Sequence, residues 1–166
     1  MTPTIRRGTL ALASLLTVLG ASARAQSPAA PQGAPGEHIA TAADSGGIRE
    51  AAMDYIQGWY EGNAERMQRA LHPELAKRII RTDPKSGRSG FNTMGALTLI
   101  NSTKVGGGSS TPAARRRTDY RLLDIYENAA VARVDAGDWV DYLQLGKWNG
   151  RWVIVNVLWE LRPQSP

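Results

Sequence analysis

The first half of the chain carries its hydrophobic residues at helical spacing. Over residues 48–59 they recur every three or four positions and form one apolar stripe, while acidic and amide side chains mostly occupy the other side. Asp44 or Ser45 is the expected N-terminal cap of this helix, because short polar side chains accept hydrogen bonds from its free amides. Gly62 is the expected end, since glycine readily adopts the left-handed conformation that closes a helix.

A second, shorter helix is predicted directly after the first. Asn63 is its expected cap, and the helix ends near His72 because Pro73 forces the preceding residue out of the helical region. Proline is also favoured at the first position of a helix, so we expect a short third helix over residues 73–80. A further short helix is predicted over residues 93–102.

From residue 118 onward the pattern changes to that of strands. Apolar and polar residues alternate in four stretches separated by short polar turns, and these stretches are residues 120–126, 129–135, 139–145 and 151–161. The Asn-Gly pair at 149–150 is a strong signal for a two-residue hairpin between the last two stretches. The sequence therefore predicts an α+β fold in which N-terminal helices pack on a curved antiparallel sheet.

The hairpin also predicts which residues face each other. If Trp148 pairs with Arg151, counting along both strands gives three further pairs, which are Leu145 with Ile154, Leu143 with Asn156, and Asp141 with Leu158. This register places Asn156 diagonally beside Asp141 on one face of the sheet.

Residues 1–25 have the three parts of a secretory signal peptide. Arg6 and Arg7 form the positive segment, and residues 10–19 form an apolar run that is too short to span a bilayer as a permanent helix. An Ala-Arg-Ala segment then supplies the small residues that precede a cleavage site. We expect cleavage after Ala25, and a periplasmic or secreted mature protein without a stable membrane anchor.

The rest of the chain divides into a linker and one domain. Residues 26–43 are rich in proline, alanine and glycine, which predicts a flexible linker before a single folded domain at 44–163. The net charge is +5, but three of the 20 Lys+Arg lie in the leader, which leaves 17 against 15 Asp+Glu. This near balance argues against a nucleic-acid partner or an anionic membrane surface.

The chain has few side chains that bind transition metals or carry out redox chemistry, which limits the reactions that it can catalyse. The chain has no cysteine and only two histidines, so it lacks thiolate nucleophiles and has too few ligands for a cysteine or histidine metal site. We expect no metal and no cofactor. Residues 106–112 (GGGSSTP) lack the flanking strand and helix that a phosphate-binding loop needs, and they predict a surface loop.

Three stretches of the chain resemble a known superfamily. They are YIQGWYEGNAERMQRALHPEL, YRLLDIYENAAVARVDAG and GDWVDYLQLGKWNGRWVIVNVLWEL, and together they cover about residues 48–161. In this order they resemble the nuclear-transport-factor-2-like (NTF2-like) superfamily, which includes SnoaL-like and ketosteroid-isomerase-like proteins, and specifically its putative lumazine-binding branch. The resemblance implies a cone-shaped fold with a pocket for a small organic ligand between helices and sheet. It also implies a homodimer formed through the sheet.

Asp141 is the first candidate for a functional side chain. It alternates with Trp139 and two leucines, so a carboxylate lies on an otherwise apolar strand face, with Asn156 beside it. Apolar surroundings disfavour the charged form, which suits a general base or a hydrogen bond to a ligand. The alternative is a structural acid bonded to a backbone amide or to an arginine.

His72 is the only histidine within residues 44–163. The resemblance places the end of the second helix near the mouth of the pocket, from which His72 would reach a ligand or pair with Asp141 for proton transfer. A histidine before a proline at a helix end also commonly bonds a free carbonyl, so both interpretations stay open.

Aromatic residues are candidates for the pocket wall. Tyr55 and Trp59 share one helix face, one turn apart, and either line a pocket for a flat ligand or pack in the core. Trp152 and Trp159 fall on opposite faces of the last strand in the predicted register, so at most one of them faces the pocket.

Three functions fit these observations. The first, which we favour, is a non-catalytic protein that binds a small organic molecule through Tyr55, Trp59, His72, Trp139, Asp141 and Asn156. The second is a small lyase, isomerase or hydratase that uses Asp141 and His72 for proton transfer, although the full acid–base set of the isomerases is absent. The third is a docking module that dimerises through an apolar sheet face including Tyr142, Val157 and Trp159.

Overall fold

The structure, a computed structural model, describes residues 41–163. The predicted signal peptide, its cleavage site and most of the predicted linker lie outside the described residues. The helices in the described part are α1 (Ala42–Glu61), α2 (Ala64–Ala70) and α3 (Ala96–Lys104). The strands are β1 (Leu71–Thr82), β2 (Ser89–Gly95), β3 (Asp119–Tyr126), β4 (Ala129–Asp135), β5 (Trp139–Trp148) and β6 (Arg151–Leu161), and Ala113–Arg115 form a single 3-10 turn. None of these helices is long and apolar enough to cross a membrane.

The six strands form one sheet in the order β2-β1-β6-β5-β4-β3. All neighbouring strands are antiparallel except β1 and β6, which run parallel. The predicted α+β class is therefore confirmed, but the sheet is mixed and the expectation of a wholly antiparallel sheet is wrong. The reason is that β1, which sequence patterns did not predict as a strand, joins the open edge of β6.

α1 begins and ends at strong local signals. Thr41 caps it, because the Thr41 hydroxyl accepts a hydrogen bond from the Asp44 amide and the Asp44 carboxylate bonds back to Thr41. The predicted cap at Asp44 or Ser45 is thus wrong, since Thr41 supplies the same chemistry one turn earlier. Gly62 has a φ of 66° and closes the helix, as predicted.

Two other helical predictions lie close to the observed elements. Asn63 caps α2 by accepting a hydrogen bond from the amide of Arg66, which confirms that cap. The helix predicted over residues 93–102 is observed as α3 and begins later, because residues up to Gly95 still pair with β1.

The third helix predicted over residues 73–80 is wrong, because these residues belong to β1. Alternate side chains of the strand are buried on the inner face, namely Leu75, Lys77 and Ile79. Pro73 is tolerated because the β1–β6 ladder is interrupted between Leu71 and Ala76, so its missing amide costs no ladder hydrogen bond.

A bulge shifts the register of the β5–β6 hairpin. The pairs nearest the turn, Trp148 with Arg151 and Leu145 with Ile154, are confirmed. Gln144 then pairs with Asn156, so Val155 is an extra residue on β6. Between the turn and the bulge, the predicted strand pairs are correct; beyond the bulge, they are not.

Beyond the bulge the predicted partners are wrong by one residue. The observed pairs are Leu143 with Val157 rather than Asn156, and Asp141 with Trp159 rather than Leu158. A shift of one residue turns every later side chain of β6 to the other face. Trp152 reaches Asp44 of α1 and Trp159 packs near Tyr55, so both tryptophans lie on the helix side and their predicted opposite placement is wrong.

One apolar core lies between the helices and the inner face of the sheet. Its fully buried members include Ile48, Ile56, Met67, Leu143 and Ile154. Burial of such side chains contributes about 1.5–3 kcal/mol each, which makes this layer the main source of stability.

Residues 106–112 are not wholly at the surface, contrary to the prediction. Gly108 is buried, and its amide donates a hydrogen bond of 2.9 Å to the carbonyl of Trp59. A Cβ atom on Gly108 would lie 2.5 Å from Nε1 of Trp59, so only glycine fits there. This glycine-rich segment therefore fixes the position of Trp59.

Candidate functional site

A cavity of about 350 Å³ lies between α1, α3 and the inner face of the sheet. It is close to the start of β5 and the end of β6. Most of its wall is apolar, and its aromatic members are Tyr55, Trp59, Trp139 and Trp159. A cavity of this size and lining is typical of a site for a small organic molecule.

The aromatic wall is held by packing between the helices and the sheet. The ring centroids of Trp59 and Trp139 are 6.5 Å apart with an interplanar angle of 89°, an edge-to-face contact. Tyr60 supports Trp139 from behind, with centroids 6.2 Å apart. The Tyr60 hydroxyl also accepts a hydrogen bond from the amide of Gly137, which anchors the turn that leads into β5.

One buried polar cluster interrupts the apolar wall. Lys77 Nζ donates to Asp141 Oδ1 at 2.5 Å and to the Tyr55 hydroxyl at 2.6 Å. Trp139 Nε1 donates to the other Asp141 oxygen, Oδ2, at 2.7 Å. Only 7% of the Lys77 side chain and 0% of the Asp141 side chain are exposed, so the pair is shielded from water.

The lysine also faces two aromatic rings of the cavity. Lys77 Nζ lies 4.8 Å from the ring centroid of Trp159 and 5.3 Å from that of Tyr55. Contacts of this kind attract a cation to the ring face. They place the positive charge of Lys77 between two wall residues, at the boundary of the cavity.

Burial is the main cause of the pKa shifts in this cluster. It raises the pKa of Tyr55 well above the usual 10.0, and the charge of Asp141 raises it further, so the Tyr55 hydroxyl keeps its proton. Burial lowers the pKa of Lys77, while the Asp141 carboxylate opposes that change. The site thus combines a neutral phenol with a lysine whose proton is easier to remove than that of a surface lysine.

The hydrogen bonds limit what each group can do. Both Asp141 oxygens already accept a bond, one from Lys77 and one from Trp139, so Asp141 acts first as the partner that holds the lysine. The Lys77 ammonium has three donors and uses two of them on Tyr55 and Asp141. One N–H donor therefore remains for an acceptor atom in the cavity.

The sequence matches a known family over nearly the whole described part. A family model described as "Putative lumazine-binding" matches residues 43–160. The chain belongs to the putative lumazine-binding family. The resemblance inferred from three stretches of the sequence is thereby confirmed. No curated protein matches the sequence.

Solved structures similar to this chain share its fold. An NTF2-like protein of unknown function from Shewanella baltica OS155 superimposes with a TM-score of 0.59 at 18% identity, over 76% of this chain and 100% of its own. Another, from Methylobacillus flagellatus KT, gives a TM-score of 0.55 at 23% identity, over 74% of this chain and 95% of its own. An NTF2-like protein with a cystatin-like fold from Novosphingobium aromaticivorans gives 0.54 at 15% identity, over 74% and 84%. These likenesses confirm the NTF2-like fold with its curved, open sheet.

The site of this family member contains most of the predicted residues. Tyr55, Trp59 and Trp139 line the cavity, and Asp141 lies directly behind Lys77 and Trp139. Both carboxylate oxygens of Asp141 accept hydrogen bonds, as expected if Asp141 is a structural acid. Its partners are a lysine and an indole rather than an arginine or a backbone amide.

His72 lies away from this site. Its ring contacts Trp148 with centroids 4.7 Å apart, and its Nδ1 accepts a hydrogen bond from the Glu74 amide. Trp148 and Asp141 are seven residues apart on β5, which corresponds to about 23 Å along a strand. The predicted pair of His72 with Asp141 is therefore wrong, because His72 belongs to the hairpin end of the sheet.

Asn156 is also separated from Asp141. Its amide donates to the side chain of Gln144 at 3.1 Å, and these two residues face each other across the hairpin. The bulge at Val155 turns Asn156 to the outer face, whereas Asp141 points inward. The predicted proximity of Asn156 to Asp141 is wrong for this reason.

Lys77 is the residue of the candidate site that sequence analysis missed. Only a weak signal for it exists: Leu75, Lys77 and Ile79 occupy alternate positions, but Ala76 and Ile80 blur the contrast with the other face. The helix expected after Pro73 concealed this pattern. In residues 41–163 no group of three or more metal-binding side chains comes together.

Proposed function

We propose that this family member is an exported protein that binds one small, flat organic molecule in the cavity and releases it unchanged. The observation that carries the proposal is the cavity itself, which has a volume of about 350 Å³ and a mostly apolar wall that includes four aromatic side chains. The Lys77–Asp141 pair supplies an oriented polar contact in this wall, which Ser102 and Asp138 also line. Mostly apolar sites with few polar groups favour flat ligands that carry one or two hydrogen-bond acceptors.

The hydrogen-bonded state of Asp141 supports binding over catalysis. A general base needs a free oxygen near the proton that it removes. Both oxygens of Asp141 are engaged by Lys77 and Trp139, and His72 is remote, so the acid–base pair that an isomerase or lyase would use is not assembled. A ligand acceptor placed against Lys77 would be bound through a hydrogen bond from its ammonium group.

Titration with lumazine, followed by tryptophan fluorescence and calorimetry, tests the proposal. We expect saturable quenching in the wild type, and binding weakened about tenfold or more by Trp159→Leu, because large aromatic anchors dominate such sites. Trp148→Leu is the matched control, since Trp148 is exposed and lies outside the cavity. If neither lumazine nor related flat heteroaromatic compounds bind, and native mass spectrometry of the purified protein shows no bound molecule, the proposal fails.

A homodimer through the outer face of the sheet is the second part of the proposal. Tyr142 and Leu158 oppose each other there, and with Ile80 they expose 43%, 52% and 49% of their surface. Contiguous exposed apolar side chains of this kind mark contact surfaces. Val157 and Trp159, which sequence analysis assigned to this surface, turn inward because of the bulge.

Analytical ultracentrifugation tests whether the protein is a dimer in solution. Leu158→Arg should yield a monomer if two copies meet through this face, whereas Leu97→Arg on α3 should leave the dimer intact, because Leu97 is exposed on a different element. A wild-type monomer at micromolar concentration would refute the dimer and leave the binding proposal untouched.

Export is the third part, and the leader sequence supports it. The mature chain is proposed to begin at Gln26 and to occupy the periplasm or the extracellular medium. Intact mass of the protein recovered from a bacterial periplasmic extract tests this, since a chain that still begins at Met1 would contradict it.

A further inference from the structure

The position of Lys77 is unusual for a lysine. It is the one lysine that is buried within residues 41–163, and it borders an apolar cavity wide enough for an aromatic ligand. Lysines lose their preference for the charged state in such surroundings and become available as nucleophiles. The remaining lysines of the same part of the chain, Lys85, Lys104 and Lys147, are exposed.

The groups around Nζ are those that a carbonyl condensation requires. A proton acceptor, Asp141 Oδ1, lies 2.5 Å away, and a phenol that keeps its proton, Tyr55, lies 2.6 Å away. The ring of Trp159 lies 4.8 Å from Nζ and offers a surface on which a flat ligand can stack.

We propose that Lys77 forms a reversible imine with aromatic aldehydes that enter the cavity. The inference rests on the proposed function, since it uses the same cavity, and it names the class of ligand as a flat aromatic ring that carries an aldehyde. It adds a covalent step that non-covalent binding does not require.

The step is balanced without any further reactant. The Lys77 ammonium gives one proton to Asp141, and the neutral amine attacks the carbonyl carbon, so that a C–N bond forms and the carbonyl π pair moves to oxygen. A proton passes from nitrogen to that oxygen and gives the carbinolamine. Asp141 then returns its proton to the hydroxyl, which leaves as water while the nitrogen lone pair forms the C=N bond.

The charged groups around Nζ also stabilise the protonated imine that the reaction forms. The protonated imine carries the same single positive charge as the original ammonium, and it faces the restored Asp141 carboxylate and the Trp159 ring. No buried charge is left without a partner at the end of the reaction, so the cost of desolvation does not rise.

The experiment uses 2-naphthaldehyde as the probe and cyanoborohydride to trap the imine on the purified wild-type protein. We expect a naphthylmethyl group on Lys77, located by peptide mass mapping, in nearly every chain and at a higher occupancy than on any exposed lysine. Labelling of Lys77 should also reach half its maximum at a lower pH than labelling of the exposed Lys104 in the same sample. Label confined to surface lysines, or equal pH profiles for Lys77 and Lys104, would overturn the inference.

Two variants and one analogue complete the test. Lys77→Arg should lose the label, whereas Lys104→Arg should keep it on Lys77. Circular dichroism shows whether Lys77→Arg is folded. If that variant is unfolded, the peptide map of the wild type still shows whether Lys77 carries the label. 2-Naphthalenemethanol, which lacks the carbonyl, reports non-covalent binding. If the alcohol binds but the aldehyde does not label Lys77, imine formation is refuted and the binding function stands. If the alcohol does not bind and the aldehyde does not label Lys77, both proposals are refuted.

Discussion

Lys77 Nζ lies 2.5 Å from Asp141 Oδ1, although their strands are not neighbours in the sheet. Lys77 is on β1 and Asp141 is on β5, so the ion pair crosses over the central strand β6 on its inner face. The pair therefore ties together strands that hydrogen bonds of the sheet do not join directly.

Removal of one charge from this pair should be costly. Asp141→Asn leaves the Lys77 ammonium buried without its anion, and loss of one partner of a buried pair typically destabilises a protein by about 3–5 kcal/mol. We expect a fall of that size in the free energy of unfolding, measured by urea denaturation. Asp119→Asn is the matched control, because Asp119 pairs with Arg117 at the surface. Equal, small effects of both variants would show that the buried pair contributes little.

Alkaline pH should weaken the fold through Tyr55. Its pKa is raised in the folded state by burial and by Asp141, so the unfolded chain loses this proton first as the pH rises. The stability that Tyr55 contributes is therefore fully present below about pH 10 and is lost as the pH rises toward its folded pKa.

Urea denaturation at pH values from about 8 to 11 measures this loss. The free energy of unfolding should fall less steeply above pH 10 in Tyr55→Phe than in the wild type. Tyr126→Phe serves as the control, because Tyr126 is exposed, and it should follow the wild-type curve.

The bulge at Val155 should be essential to the inner face of β6. Deletion of Val155 would return the strand to regular pairing and turn Val157, Trp159 and Leu161 outward. We expect this deletion to abolish the cooperative thermal transition. Val155→Ala should retain it, because it preserves the number of residues in the strand. A cooperative, ligand-binding deletion variant would contradict the role of the bulge.

The glycine-rich segment should control the cavity wall. Gly108→Ala places a Cβ atom 2.5 Å from Nε1 of Trp59, so the indole must move. Overpacking of this kind costs about 1–3 kcal/mol, and a displaced Trp59 should also weaken ligand binding. Gly90→Ala is the control, since no atom lies within 4 Å of its added Cβ. Thermal unfolding and fluorescence titration of both variants measure the difference.

Much of the fold follows from local signals in the sequence. The apolar stripe before Trp59, the glycine at 62 and the Asn-Gly turn each depend on neighbouring residues only, and each element that they predicted is observed. Tyr55 and Trp59 were expected either to line a pocket or to pack in the core; both border the cavity together with Trp139, and Tyr55 is also part of the buried core.

The remaining features depend on contacts that local patterns do not contain. Pro73 favours a helix start locally, but the free edge of β6 pairs with the residues that follow and makes them a strand. The extra residue Val155 carries no distinctive chemistry, so counting from the turn missed the bulge and misplaced Asn156. Lys77 escaped notice for a related reason, since its burial requires Asp141, which lies 64 residues further along the chain.

The central position of β6 has a consequence for how the molecule assembles. β6 is the last strand in the sequence, yet it joins β2 and β1 on one side to β5, β4 and β3 on the other. The two halves of the sheet therefore share no strand pairing until the C-terminal strand is present. Contacts of such long sequence separation slow folding and make it cooperative, so a nascent chain that lacks its final strand holds two unconnected half-sheets rather than a smaller version of the domain.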